Sequence, residues 1–373
     1  MEKKERNSNY ELMRIVSMFM IIIWHIIIHS HILNNYSNYQ LKKVLEFILD
    51  IIVIHVNSFI LVTGYFQSTN KFKQSKVWSL IGSNLFYKVV IVIIFTLFVN
   101  LKLTNSEYVR EFFIFNYDEY WFVKYYIFLY MLSPFLNILI QKMNKKQYQK
   151  FLLVLFFMLS FLPFITGNNA YSNDGSNLTN FLFLYFIGAY LRKYPMKEWY
   201  IFKNLSTNMY RVILIFTFLL TIIFNYSLAQ TNGLLRGTSS LFNELFGGMS
   251  DMARAYSNPF IIIQSIAYLC FFGTLNFKNR IINNISKLVI GVYLIHDNKY
   301  VRCKLYDWFK IGSTFSNSYK VLIYILFVSI IIFVSCSIIE YIRQMLFKFI
   351  YNRRFSYKIR QKYKNWIVSL GID

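Results

Sequence analysis

The sequence predicts an all-α, polytopic membrane bundle of about ten transmembrane helices, and three observations predict it. The 373 residues are 56% hydrophobic and only 15% charged, with a mean hydropathy of +0.40. A soluble chain of that content could not cover its surface with polar groups. The apolar residues also fall into separated runs, many of them long enough to cross the ~30 Å hydrocarbon core of a bilayer. Between these runs lie short segments rich in Lys and Arg. A secreted disulfide scaffold, a disordered chain and a soluble enzyme are excluded on these grounds.

The expected spans are 12–33, 44–66, 77–101, 121–141, 150–166, 178–191, 210–229, 258–275, 286–300 and 319–346. Ten spans return the chain to the side on which it starts, and the positive charge assigns that side. The amino terminus and segments 67–76, 141–150, 192–209, 276–287 and 351–373 together carry 23 Lys and Arg. The opposite segments, 34–43, 102–120, 168–177, 231–257 and 309–320, carry 8. Short cytoplasmic loops hold such an excess. Both termini are therefore expected in the cytoplasm, with the basic tail 351–373 lying along anionic lipid of the inner leaflet.

The net charge of +23 does not imply nucleic acid, because no continuous basic face is present. Cys270, Cys303 and Cys336 are widely spaced and fit neither a disulfide framework nor a metal-ligand pattern. The apolar stretch after the basic start runs past Ile28 without a small-residue cleavage site, so it reads as the first span. Segment 231–257, with its mixed apolar and glycine content, suits a lid, a re-entrant element or a plain loop. No internal repeat is visible, so an inverted-repeat transporter gains no support. Residues 1–373 are read as a single transmembrane domain.

The first span carries the sharpest signal. Ser8-x-x-Glu11 reads as a capping box that starts the helix. Arg14 sits one turn in, and His25 follows eleven residues later. At about 100° per residue this is three turns plus ~20°, so the two share a face and stand ~16 Å apart along the axis. Ionisable groups on a membrane helix are functional hypotheses by default. The plainer readings are a snorkelling anchor or a Glu11 partner for Arg14, and a bond to a neighbouring helix carbonyl for His25.

The spacing suits a long donor. An acyl-coenzyme A has a polyanionic nucleotide end and a thin arm that ends in a thioester. A cation at the inner face could hold its phosphates while the arm reaches a buried imidazole, which takes the proton of an attacking hydroxyl. His29 and His31 are expected at the outer interface. His25 and His29, at i and i+4, could share a metal, but no carboxylate or third ligand has matching spacing, so no metal is expected.

Two further spans place polar groups at the depth of His25. The second holds Glu46, Asp50, His55, Asn57 and Ser58. Of these, Asp50 and His55 fall near that level, where Asp50 could orient an imidazole or bond sugar hydroxyls. The ninth is short, and His296 leads directly into Asp297, Asn298 and Lys299. Polar groups at such depth must face protein or a water-filled cavity. A layer of imidazole and carboxylate groups from three helices exceeds what packing usually requires. A flippase for a lipid-linked glycan, using that layer as a path, is the alternative from another class.

Four segments resemble the acyltransferase-3 family of integral-membrane acyltransferases. Arg14-x10-His25, after RNSNYELMR, resembles its first-helix signature. SFILVTGYF (58–66), YWFVKYYIFLYMLSPFLN (120–137) and ISKLVIGVYLIHDN (285–298) resemble three later elements in order and rough spacing. The resemblance spans nearly the whole chain. It implies transfer of an acyl group, usually acetyl, from cytoplasmic acetyl-coenzyme A to a carbohydrate hydroxyl. The acceptor is expected to be a cell-surface polysaccharide or lipid-linked oligosaccharide, and the location a bacterial plasma membrane. Arg14 and His25 match the family's essential pair, with His25 as base; His296 and Asp297 join it as catalytic candidates with Asp50. Where many members have an arginine-rich stretch, this chain has Lys71, Lys73 and Lys76. Lys73 and Lys76 are donor-phosphate candidates, although lysine lacks the bidentate fork of arginine. Tyr126 stands where many members have Glu, which leaves Asp50 or Asp297 to supply a carboxylate.

Overall fold

The structure is a computed structural model, and it describes residues 7–35, 38–111, 113, 120–167, 173–235, 249, 252–311 and 318–352. The tail 353–373 and most of segment 236–251 lie outside the described residues. The described chain is helical, with no strand among the described residues. Seven helical segments are long and apolar enough to cross a membrane: Asn9–His29, Tyr39–Gln67, Gln74–Phe98, Trp121–Lys142, Lys145–Thr166, Thr207–Thr231 and Lys320–Ile350. The remaining three expected spans hold shorter helices, Leu178–Lys193, Pro259–Gly273 and Val289–His296.

The first helix begins after Ser8, but not through a capping box. The Ser8 side chain makes no cap bond to its own helix. It accepts from the Asn279 amide at 2.7 Å and donates to the Asn279 carbonyl at 3.2 Å. A loop 271 residues away has competed successfully for the hydroxyl, and Glu11 is left to pair with Arg14 at 3.0 Å. This lacing pins the start of the first helix to the segment that precedes the short helix Val289–His296.

The second span is broken. Tyr39–Ile52 and His55–Gln67 meet at a two-residue interruption over Val53 and Ile54. Backbone groups freed inside a membrane bundle must find partners within the protein. Here Gln264 donates to the carbonyls of Asp50 and Ile51, at 3.2 and 3.4 Å. The His55 ring bonds the Val53 carbonyl at 3.0 Å.

Helix His55–Gln67 packs very closely on Leu178–Lys193. A Cβ on Gly64 would lie 2.2 Å from the Tyr185 carbonyl oxygen, and one on Gly188 the same distance from that of Leu61. Small residues at such crossings let backbones approach and raise dispersion contact, the main attraction between helices in lipid. The TGYF element therefore has a packing reason at its glycine.

Helix Val289–His296 has eight residues, a length of about 12 Å, and all but Ile290 are buried. It ends inside the protein. Asp297 leaves helical geometry, and the Asn298 side chain caps the next helix, Lys299–Trp308. Asn298 also donates to the Tyr120 hydroxyl at 2.9 Å, which donates to the Leu294 carbonyl at 2.6 Å. The polar turn 297–298 is thus held in the interior by side chains from a distant part of the chain.

Candidate functional site

Along the first helix, Arg14, Met18 and Ile21 line one cavity of about 230 Å³. These positions continue at the same helical spacing to His25, the face that the sequence indicates. Across the cavity stand Lys76 and Tyr126, and toward the other end Phe122 and Tyr293. The Tyr293 ring centroid is 6.1 Å from that of His296. The cavity therefore has two cations in its wall, and Tyr293 stands between it and His296, which does not itself line it. Arg14 is about one-third exposed and keeps its bond to Glu11. Lys76 lies over the Tyr130 ring at 4.5 Å. Lys73 is exposed and does not line the cavity; its backbone amide donates to the Tyr130 hydroxyl at 3.1 Å.

The histidine layer divides into two groups. His25 Nδ1 lies 3.1 Å from His296 Nε2 and 3.5 Å from Asp297 Oδ1. The other nitrogen of His296, Nδ1, lies 2.7 Å from the Val292 carbonyl. A carbonyl can only accept, so His296 carries its proton on Nδ1 and, when neutral, presents Nε2 as an acceptor. The proton between the rings then belongs to His25 Nδ1. That leaves His25 Nε2 with a lone pair, the state a general base requires. Asp297 also binds Arg302 at 3.1 Å, which steadies the carboxylate beside the imidazole.

The second group faces elsewhere. The depth argument puts Asp50 within reach of an imidazole, but both its oxygens are taken by Arg254. Nε meets Oδ1 at 2.8 Å and Nη2 meets Oδ2 at 2.9 Å, with the carboxylate fully buried. Depth along a span fixes the level of a residue, not its direction around the helix. Asp50 is accordingly the ion-pair partner of Arg254 here, with both its oxygens turned to the guanidinium rather than to an imidazole. His55 likewise closes the chain break, and Lys299 pairs with Glu111.

Two partners escaped the sequence reading, and one histidine faces otherwise than expected. Arg302 is five residues beyond Asp297, a separation with no simple helical meaning across a chain turn. Arg254 lies in the long segment 231–257, where no periodicity locates it. His29, expected at the interface, turns inward: its ring centroid is 5.3 Å from that of His25. One ligand-type atom each from His25, His29 and Asp297 all fall within 4.8 Å of one another. The carboxylate that sequence spacing could not find for the two histidines is therefore Asp297.

Comparison with known proteins places these groups within one family. A family model described as an acyltransferase domain matches residues 7–341, which includes all the groups above. The same comparisons return no matching curated relative and no matching solved structure.

Proposed function

The chain belongs to the acyltransferase-3 family and is a multi-pass membrane acyltransferase, and on that premise we propose that it moves an acetyl group from cytoplasmic acetyl-coenzyme A to a hydroxyl of a surface polysaccharide or lipid-linked glycan. In this reading the protein sits in a bacterial plasma membrane with both termini cytoplasmic. The observation that carries it is the cavity lined by Arg14, Lys76 and Tyr293, with the Tyr293 ring centroid 6.1 Å from that of His296. Two cations suit the nucleotide phosphates, and the apolar side chains between them, Met18, Ile21 and Phe59 among them, suit the arm that bears the thioester.

His25 acts as base through Nε2. The acceptor hydroxyl loses its proton to this nitrogen as its oxygen attacks the thioester carbonyl. The tetrahedral intermediate then collapses, the carbon–sulfur bond breaks, and the imidazolium returns its proton to the departing thiolate. The products are the glycan ester and coenzyme A. During the step the positive charge on His25 is stabilised by Asp297, 3.5 Å from Nδ1. His296 is a positioning residue that holds the ring in the required tautomer.

The test uses membranes containing wild type, His25→Ala or Arg14→Ala, incubated with acetyl-labelled acetyl-coenzyme A and cell-surface glycan. Label in a base-labile ester with wild type, lost in His25→Ala, supports the reading. A protein that moves glycan across the membrane without transferring label from acetyl- or succinyl-coenzyme A would overturn it.

A further inference from the structure

We propose that His25, His29 and Asp297 form a binding site for Zn2+ or a similar borderline divalent cation, and that the bound ion switches the transferase off. The two histidines are four residues apart on one helix, so both imidazoles leave the same face. Asp297 comes from 268 residues further along the chain and supplies a carboxylate. This donor set, two imidazole nitrogens and one carboxylate oxygen, is that of open zinc sites with three protein ligands.

The distances suit a small cation. Ligand atoms at about 2.1 Å from zinc in tetrahedral geometry stand about 3.4 Å apart. His25 Nδ1 and Asp297 Oδ1 are already 3.5 Å apart. Ligand-type atoms of the three residues all lie within 4.8 Å of one another, so closing on an ion takes side-chain shifts of ~1.4 Å or less. His29 can supply such a shift: it is the last residue of its helix and only half-buried. Arg302 bonds Asp297 Oδ1 at 3.1 Å and is one-third exposed, so it can swing toward solvent when the cation arrives.

The ion and the base compete for one residue. Metal binding needs a deprotonated ring nitrogen of His25, and the coordinated ring can no longer hold the lone pair and inter-ring bond that proton transfer uses. Binding stands on geometry alone, whereas the inhibition rests on the role proposed above for His25.

The purified full-length protein in detergent would be titrated with Zn2+ and, separately, with Co2+, following the visible bands of tetrahedral Co2+. Wild type is expected to bind one ion with nitrogen–oxygen ligation. His29→Ala should weaken binding by at least about tenfold, since even an outer-shell partner of a metal ligand contributes about 10–100-fold, and keep acyl transfer in the absence of metal. Asp297→Asn should weaken binding similarly. Zn2+ should inhibit transfer by wild type but not by His29→Ala at the same concentration. Absence of the Co2+ bands in wild type, or equal affinity in wild type and His29→Ala, would overturn the site. Binding without inhibition would leave the site standing and refute the shared role of His25.

Discussion

Replacing His296 by alanine isolates the tautomer argument from the rest of the site. In the wild type, Val292 holds the proton on His296 Nδ1 at 2.7 Å, and Nε2 accepts from His25 Nδ1 at 3.1 Å. His25 is only 14% exposed, so water replaces that acceptor poorly. Leaving a buried donor unpaired costs about 1–3 kcal/mol, which corresponds to about 5- to 150-fold in the population of the competent tautomer. Asp297 Oδ1, already 3.5 Å from the same nitrogen, recovers part of this, so a fall of about 5- to 30-fold is expected. It should appear equally in kcat and kcat/KM, with the KM for acetyl-coenzyme A unchanged, because tautomer control acts on the chemical step. The assay is steady-state transfer of labelled acetyl, with thermal unfolding in detergent to establish that each variant is folded. His296→Gln places an amide oxygen near the former Nε2 and should recover much of the rate. A folded His296→Ala enzyme with wild-type kcat refutes the reasoning. So does His296→Gln if it is no better than alanine.

Other expectations follow from the same contacts. Arg14→Ala and Lys76→Ala should each raise the KM for acetyl-coenzyme A by about tenfold with little change in kcat, since a charged hydrogen bond contributes about 1.5–3 kcal/mol; Lys73→Ala should leave both constants near wild type. Gly188→Ala puts a methyl 2.2 Å from the Leu61 carbonyl oxygen and should destabilise the protein by about 1–3 kcal/mol, read as a lower Tm in detergent. Arg254→Met leaves the fully buried Asp50 carboxylate without its partner and should cost about 3–5 kcal/mol, while adding Asp50→Asn should restore much of the loss. Strictly additive losses in that double variant would show that the pair is not coupled.

The sequence allowed the fold class to be read because a bilayer imposes a coarse constraint, the length of apolar runs, on composition. It also placed one candidate face, because Arg14 and His25 lie on a single regular helix where angle and rise follow directly from residue number. What it could not supply was direction across helices. Asp50 and His296 were placed at similar depth by the same count, yet one turns to Arg254 and the other to His25. The capping box at Ser8 failed for a related reason. Its local pattern is correct, but a backbone segment near residue 279 offers the hydroxyl both a donor and an acceptor.

The end of the short helix explains how one imidazole meets two consecutive residues. The Asp297 amide keeps the helical bond to the Tyr293 carbonyl at 3.1 Å, so the His296 and Asp297 side chains leave the last turn about 100° apart and flank His25 Nδ1 at 3.1 and 3.5 Å. Asp297 then adopts φ −93° and ψ 4°, which turns the chain that follows out of the helix. Termination there is enforced by Asn298, whose side chain accepts from the Tyr300 amide to start the next helix and donates to the Tyr120 hydroxyl. A helix break inside a membrane bundle is tolerated only where the protein re-satisfies the freed groups. Here the same polar bonds that make the break tolerable also set the geometry of the histidine pair. The polar string after His296 is therefore better understood as the device that aims the site than as a set of additional reacting groups.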